Sequence, residues 1–178
     1  MVDSENKYSL GDFQKLNTQK QKKIIRNIFE DYYPYVYRLS FSLCNNASDA
    51  EDIAQDVFIA VINGLPSFRG DAKFSTWVYR ITTRIACRHI VKNKHQPLTS
   101  SHTDTLQSES ANEPEITHQQ LAKAMNKLSL PLRTVLSLTS IIGLSHQQVA
   151  DIMGVPVGTI WSRLHSGRKQ LAKILDYQ

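Results

Sequence analysis

The chain has 178 residues, with 21 Lys plus Arg against 16 Asp plus Glu, a net charge of +5, and 41% apolar residues. That length makes one medium domain or two small ones, and that apolar share supports a core, which excludes wholesale disorder. Two cysteines, Cys44 and Cys87, exclude a disulfide framework and a four-cysteine metal site, and 7 Gly with 6 Pro argue against a turn-rich β-sandwich. From Ile28 to Leu43, apolar positions recur at Ile28, Tyr32, Val36, Leu39 and Leu43, a helical spacing. Asn45-Asn46 reads as its stop, and Ser48 with Glu51 reads as a capping box opening a second helix. That helix runs through Ile53, Val57 and Val61 to Gly64-Leu65-Pro66. Ser75 opens a third, through Trp77, Ile81, Ile85 and Ile90 to about Lys94.

Between Lys94 and Pro114 the composition turns to Ser, Thr, His, Gln and acids, which predicts a flexible linker. Helical pattern returns at Pro114 and passes through Leu121, Ala124, Met125 and Leu128. A further helix is expected from Leu130 to Ile142, stopping at Gly143. Ser145 with Gln148 predicts a second capping box and a short helix ending at Gly154, and Pro156 starts a last helix through Ile160, Leu164, Leu171 and Leu175. The expected fold is all-α: two small helical domains joined by a flexible linker. The longest apolar run, Ile59 to Ile62, is too short to span a bilayer. Met1-Val2-Asp3-Ser4-Glu5 lacks the layout of a signal peptide, so a soluble, cytoplasmic protein without membrane insertion is expected.

Charge falls in blocks. Residues 30–56 carry six acids and one base, residues 69–94 seven bases and one acid, residues 95–118 four acids and no base, and residues 119–178 seven bases and two acids. Two basic segments around an acidic stretch suggest two contacts with a polyanion, which would be steeply salt-dependent. Charge by itself does not separate that reading from solvated helix faces.

Residues 145–173 carry the sharpest pattern: a capped short helix, a glycine turn and a basic amphipathic helix, with Val149, Ala150 and Met153 able to pack on Ile160 and Leu164. This is a helix-turn-helix, whose second helix enters the major groove. Thr159, Trp161, Ser162, Arg163, His165 and Ser166 are the candidates for base edges; Arg168, Lys169 and Lys173 suit phosphates. In the third helix Phe68, Phe74, Trp77 and Tyr79 stand among Arg69, Lys73, Arg80, Arg84, Arg88, Lys92 and Lys94, with Arg80, Arg84 and Arg88 forming a stripe. Stacking a base on an aromatic is worth about 1–3 kcal/mol, comparable to the few kcal/mol that extruding a base costs, so this surface suits unpaired bases. Core spacing equally fits Phe74 and Trp77 as structural residues. Asp49, Asp52 and Asp56 share one side of the second helix, beside Ile53, Gln55, Phe58 and Ile59. No His or second carboxylate set supports a metal there, and a protein-binding face is the better fit.

Asp49-Ala-Glu-Asp-Ile-Ala-Gln-Asp-Val-Phe58 and Phe68-Arg-Gly-Asp-Ala-Lys-Phe-Ser-Thr-Trp77-Val-Tyr-Arg-Ile81 resemble region 2 of the extracytoplasmic-function (ECF) bacterial sigma factors. Leu144-Ser-His-Gln-Gln-Val-Ala150 and Gly154-Val-Pro-Val-Gly-Thr-Ile-Trp-Ser-Arg-Leu164 resemble their region 4. The resemblance implies an N-terminal extension over 1–28, region 2 over 29–94, a linker over 95–116 and region 4 over 117–178. It implies a subunit that binds core RNA polymerase and directs it to promoter DNA, with no cofactor, metal or chemistry of its own.

By that resemblance Asp49, Asp52, Gln55, Asp56 and Phe58 would dock on the beta-prime coiled coil. Arg69, Lys73, Phe74, Arg80, Arg84, Arg88 and Lys92 would recognise and melt the minus-ten element. The set Thr159, Trp161, Ser162, Arg163, His165, Ser166, Arg168 and Lys169 would read the minus-thirty-five element while the domain docks on the beta flap. An anti-sigma factor is a further implied partner. The chain departs from the family at Arg84, Arg88, Trp161 and Ser166, where Asn, Asp, a base and a base are usual, so promoter sequence does not carry over. Two other function classes compete: a free-standing helix-turn-helix regulator, which leaves the acidic and aromatic-basic helices without a role, and a metal-dependent nucleic-acid enzyme working through Asp52.

Overall fold

The computed structural model describes Phe13, residues 16–93 and residues 118–176. Among these residues every regular element is helical: α1 Thr18–Cys44, α2 Ala47–Gly64, a 3-10 turn Leu65–Ser67, α3 Phe74–Asn93, α4 His118–Lys127, α5 Leu130–Leu136, a π-turn Ser137–Ile141, α6 His146–Met153 and α7 Val157–Asp176. The expected linker and the helix start at Pro114 lie outside the described residues.

In the N-terminal unit, α1, α2 and α3 pack on one another. The predicted stripe Ile28, Tyr32, Val36, Leu39 and Leu43 is buried against Ile53, Ala54, Val57 and Val61 of α2 and Val78, Ala86 and Ile90 of α3. Burying an aliphatic side chain contributes about 1.5–3 kcal/mol, so this stripe fixes which face of α1 turns inward. Two boundaries differ from the sequence reading. Helix α1 begins at Thr18, capped by Asn17, whose side chain accepts from the Lys20 amide at 2.9 Å. It therefore absorbs eleven residues, Thr18 to Ile28, of the expected extension, with Ile24 and Ile25 packed on the core. It also passes through Pro34, which removes one donor from the helix ladder at an exposed position.

The expected capping box Ser48–Glu51 does not form. Asn46 is the N-cap of α2, accepting from the Asp49 amide at 2.9 Å, while Asn45 ends α1 at φ 54°. Adjacent asparagines thus serve two helices: one adopts the left-handed conformation, and the next supplies a side-chain acceptor.

The C-terminal unit follows its punctuation closely. Ser145 Oγ accepts from the Gln148 amide at 3.3 Å while Gln148 Oε1 accepts from the Ser145 amide at 2.9 Å, completing the predicted box. Gly154 closes α6 at φ 65°, where a side chain would be strained. The single helix expected over Leu130–Ile142 is instead α5 continued by a π-turn. Val149, Ala150, Ile152, Ile160 and Leu164 form the buried contact of the helix-turn-helix, with Met153 half-buried beside them.

The two units also share a seam. Arg133 on α5 is only 5% exposed and donates to the Leu43 carbonyl at the end of α1 at 2.5 Å, to Asn126 Oδ1 and the Asn126 carbonyl at 2.8 Å, and to the Leu128 carbonyl at 3.3 Å. Carbonyls in the last turn of a helix have no partner within it and carry its negative dipole end, so a guanidinium suits Leu43. Helices α3 and α6 also pack together, and Arg80 Nη2 donates to the Asp151 carbonyl at 2.6 Å.

Candidate nucleic-acid and protein-binding surfaces

Helix α3 presents Arg80, Arg84 and Arg88 on its exposed side, with Lys92 following and Arg69 and Lys73 exposed just upstream. Among the described residues none of the three arginines has a carboxylate within ion-pairing distance, so their charge is uncompensated. The aromatics divide differently. Tyr79 is buried, and burial raises its phenol far above its ordinary range. Phe74 is half-buried, edge-on to Tyr32 at 5.5 Å and to Phe68 at 5.4 Å. Trp77 packs on both Phe68 and Phe74 and lies across Gly64, where a Cβ would come within 2.7 Å of the indole. Gly64 is therefore the seat of Trp77, and Trp77 is first of all a packing residue. Among the predicted minus-ten residues, the cations are exposed while Phe74 belongs to this ring cluster.

On α7, Ser162, His165, Ser166, Arg168 and Lys169 are exposed, Thr159 is half-exposed with its carbonyl accepting from Ser162 Oγ at 3.0 Å, and Trp161 stands out at 58% exposure. The His146 ring, at the start of α6, lies 4.2 Å from the indole in an edge arrangement. Arg163 departs from this group. It is half-buried and lines a cleft of roughly 320 Å³ at the seam, across from Arg80, Thr83, Arg84 and Cys87. Thr134, Ile152 and Met153 complete that wall.

On α2, Asp52, Gln55 and Asp56 are exposed. Asp49 is half-buried and tied to His89 Nε2 of α3 at 3.2 Å, so it braces two helices. Phe58 is 6% exposed, packed on Phe29 at 4.8 Å and Tyr33 at 6.1 Å. The apolar residues that do reach the surface here are Ile59 and Ile62. Beside them runs a row the sequence reading did not single out: Phe29, Tyr33, Tyr37 and Phe41, with neighbouring rings 4.9, 6.2 and 6.3 Å apart along α1. Its four-residue spacing, one position after the core stripe, was the available signal.

Both cysteines sit near Arg133 at the seam. Burial pushes the Cys44 thiol up to about 11, and burial raises Cys87 against an opposing hydrogen bond from Thr134 of the other unit. Burial in turn lowers Arg133 from its ordinary value. Among the described residues no three His, Cys, Asp or Glu side chains gather as metal ligands, and no helix is long and apolar enough to cross a membrane.

Comparison with known proteins gives two family matches in chain order: Sigma-70 region 2 over residues 28–96 and Sigma-70, region 4 over residues 118–171. The chain is 31% identical over 159 residues to RNA polymerase sigma-H factor of Pseudomonas aeruginosa, covering 82% of each chain. It is 32% identical over 163 residues to ECF RNA polymerase sigma factor SigW of Bacillus subtilis, covering 84% of this chain and 87% of the relative. Its fold is similar to that of the sigma factor RpoE solved in complex with the anti-sigma factor NepR from Bartonella quintana, with a TM-score of 0.67, 24% identity, and coverage of 86% of this chain and 98% of that one.

Proposed function

Since the chain belongs to the ECF branch of the sigma-70 RNA polymerase sigma factors, we propose a division of labour among its three surfaces. As a sigma factor of this type it directs core RNA polymerase to promoters and starts transcription. Residues 29–94, together with the upstream turns of α1, act as the minus-ten module, and residues 117–178 as the minus-thirty-five module. Arg69, Lys73, Arg80, Arg84, Arg88 and Lys92 grip the melted downstream strand, while Phe74 supports the ring cluster beneath them. Thr159, Trp161, Ser162, His165 and Ser166 meet base edges upstream, and Arg163, Arg168 and Lys169 meet phosphates. Asp52, Gln55 and Asp56, flanked by Ile59, Ile62 and the α1 aromatic row, take the beta-prime coiled coil; Asp49 and Phe58 act from behind by bracing that face. The C-terminal module also docks on the beta flap. Bond making belongs to the polymerase, no residue here is assigned a catalytic role, and the site of action is the cytoplasm.

The observation that supports this best is the presence of two separate exposed basic helix faces and a third, acid-rich face on one chain. The seam adds a requirement. Arg80, Arg84 and Arg163 line one cleft, so the part of the two basic faces that meets at the seam is freed only when α6 leaves α3. Polymerase binding supplies that opening, and an anti-sigma factor, as NepR is for RpoE, opposes it.

Run-off transcription with purified core polymerase tests the reading. The chain is expected to produce defined transcripts from a subset of genomic promoter fragments, and the double charge reversal Asp52→Lys with Asp56→Lys to abolish them and co-purification with core. Absence of any chain-dependent transcript contradicts the reading.

A further inference from the structure

From the pairing of Trp161 with His146, we propose that this indole reads the methyl group of a thymine in the upstream element and that His146 positions it. The inference rests on the assignment of α7 to DNA. Trp161 lies in the second turn of α7 and is 58% exposed, an unusual exposure for so large an apolar side chain. It is nonetheless held. His146, fixed by the doubly bonded cap at Ser145, sets its ring edge-on at 4.2 Å. The two rings open onto a cleft of roughly 480 Å³ whose other lining includes Leu164, His165, Arg168 and Lys169.

The chemistry of an indole limits what it can recognise. It has one N–H donor, no acceptor and no charge, so it makes neither a bidentate contact to guanine nor a phosphate ion pair. Guanine, cytosine and adenine carry no methyl on their major-groove edges, where polar groups dominate, and burying those against an apolar ring removes water without replacing its hydrogen bonds. Thymine alone offers an apolar group there, its C5-methyl. Arg168 and Lys169, on the same cleft, suit the flanking phosphates and would set the depth of α7 in the groove. Without a ring beside it the indole would have to give up rotamer freedom on binding; the His146 contact has already restricted it.

The test uses full-length chain with core polymerase. Duplexes randomised over the upstream region are selected for holoenzyme binding, and each thymine in the winner is then replaced singly by deoxyuridine, which removes only the methyl. Wild-type chain is expected to select thymine at one or two adjacent positions and to lose about fourfold in affinity at one of them on deoxyuridine replacement, the value of one buried methyl group. Trp161→Ala should erase that penalty while leaving preferences elsewhere unchanged. His146→Ala should reduce it, and His146→Phe should retain it, which a purely structural role of the cap would not predict. An equal deoxyuridine penalty in Trp161→Ala, or an enriched element lacking any methyl-dependent position, overturns the proposal while leaving DNA reading by α7 intact. Absence of any enriched upstream sequence overturns both.

Discussion

The two units of this chain are stabilised by different means. The N-terminal unit is held by side-chain packing: three long helices bury a continuous stripe, and an aromatic cluster seals the corner where Trp77 lies over Gly64. The C-terminal unit has shorter helices before α7 and relies on backbone punctuation, with a capping box at Ser145, a left-handed Gly154 and Pro156 opening the last helix. Packing tolerates boundaries that slide by a turn, whereas caps fix them to the residue. Removing one buried contact should therefore damage the first unit, and removing one cap the second.

The seam lies outside that contrast and should show the largest effect. Arg133→Ala leaves the Leu43 and Leu128 carbonyls without this donor in a buried place and frees Asn126 beside them, which costs about 3 kcal/mol. For a chain of this size that is a fall in melting temperature of about 6–12 °C. Small-angle scattering should show the units separating at the same time, and an unchanged profile would mean that the α3–α6 contact and the packing of α1 on α4, α5 and the π-turn hold them without Arg133. Gly64→Ala comes next. Its new methyl group meets the Trp77 ring, and overpacking of this kind costs about 1–3 kcal/mol, read as earlier unfolding with tryptophan emission from the N-terminal unit altered first. Ser145→Ala removes the acceptor of the Gln148 amide while the backbone half of the box persists, costing about 1 kcal/mol, visible as faster amide exchange confined to α6 and α7.

The last effect is a pH dependence that is absent near neutral pH. The Cys44 thiol rises from an ordinary value near 9 to about 11 in the folded chain. Folding thus favours the neutral thiol, and the stability it contributes is present below pH 9 and lost as the pH rises toward 11. Thermal unfolding of wild type and Cys44→Ala should diverge over that window, with the variant having the flatter slope.

This contrast also explains what was legible in the sequence. The core stripe of α1 and the whole helix-turn-helix were readable because periodicity and caps are local signals. The start of α1 was missed because Lys20, Lys22, Lys23 and Arg26 dilute the apolar pattern around Ile24 and Ile25. The start of α2 was misplaced by two residues because Ser48–Glu51 fits the cap pattern as well as Asn46 does, and only the tight junction between α1 and α2 selects between them. Of the candidate surfaces, the exposure of the Arg80, Arg84 and Arg88 stripe and of most α7 residues was legible from spacing, whereas the half-buried place of Arg163 was not. The inward turn of Phe58, the brace between Asp49 and His89 and the burial of Arg133 were not, since each depends on a partner from a distant part of the chain.

On the proposed function, α3 and α7 hold two separate stretches of one promoter. Hydroxyl-radical footprinting of a promoter complex formed with saturating core polymerase tests it directly. An upstream and a downstream window are expected, with Arg84→Glu weakening only the downstream one and Lys169→Glu only the upstream one. Loss of both windows together in either variant, with polymerase still bound, would contradict it.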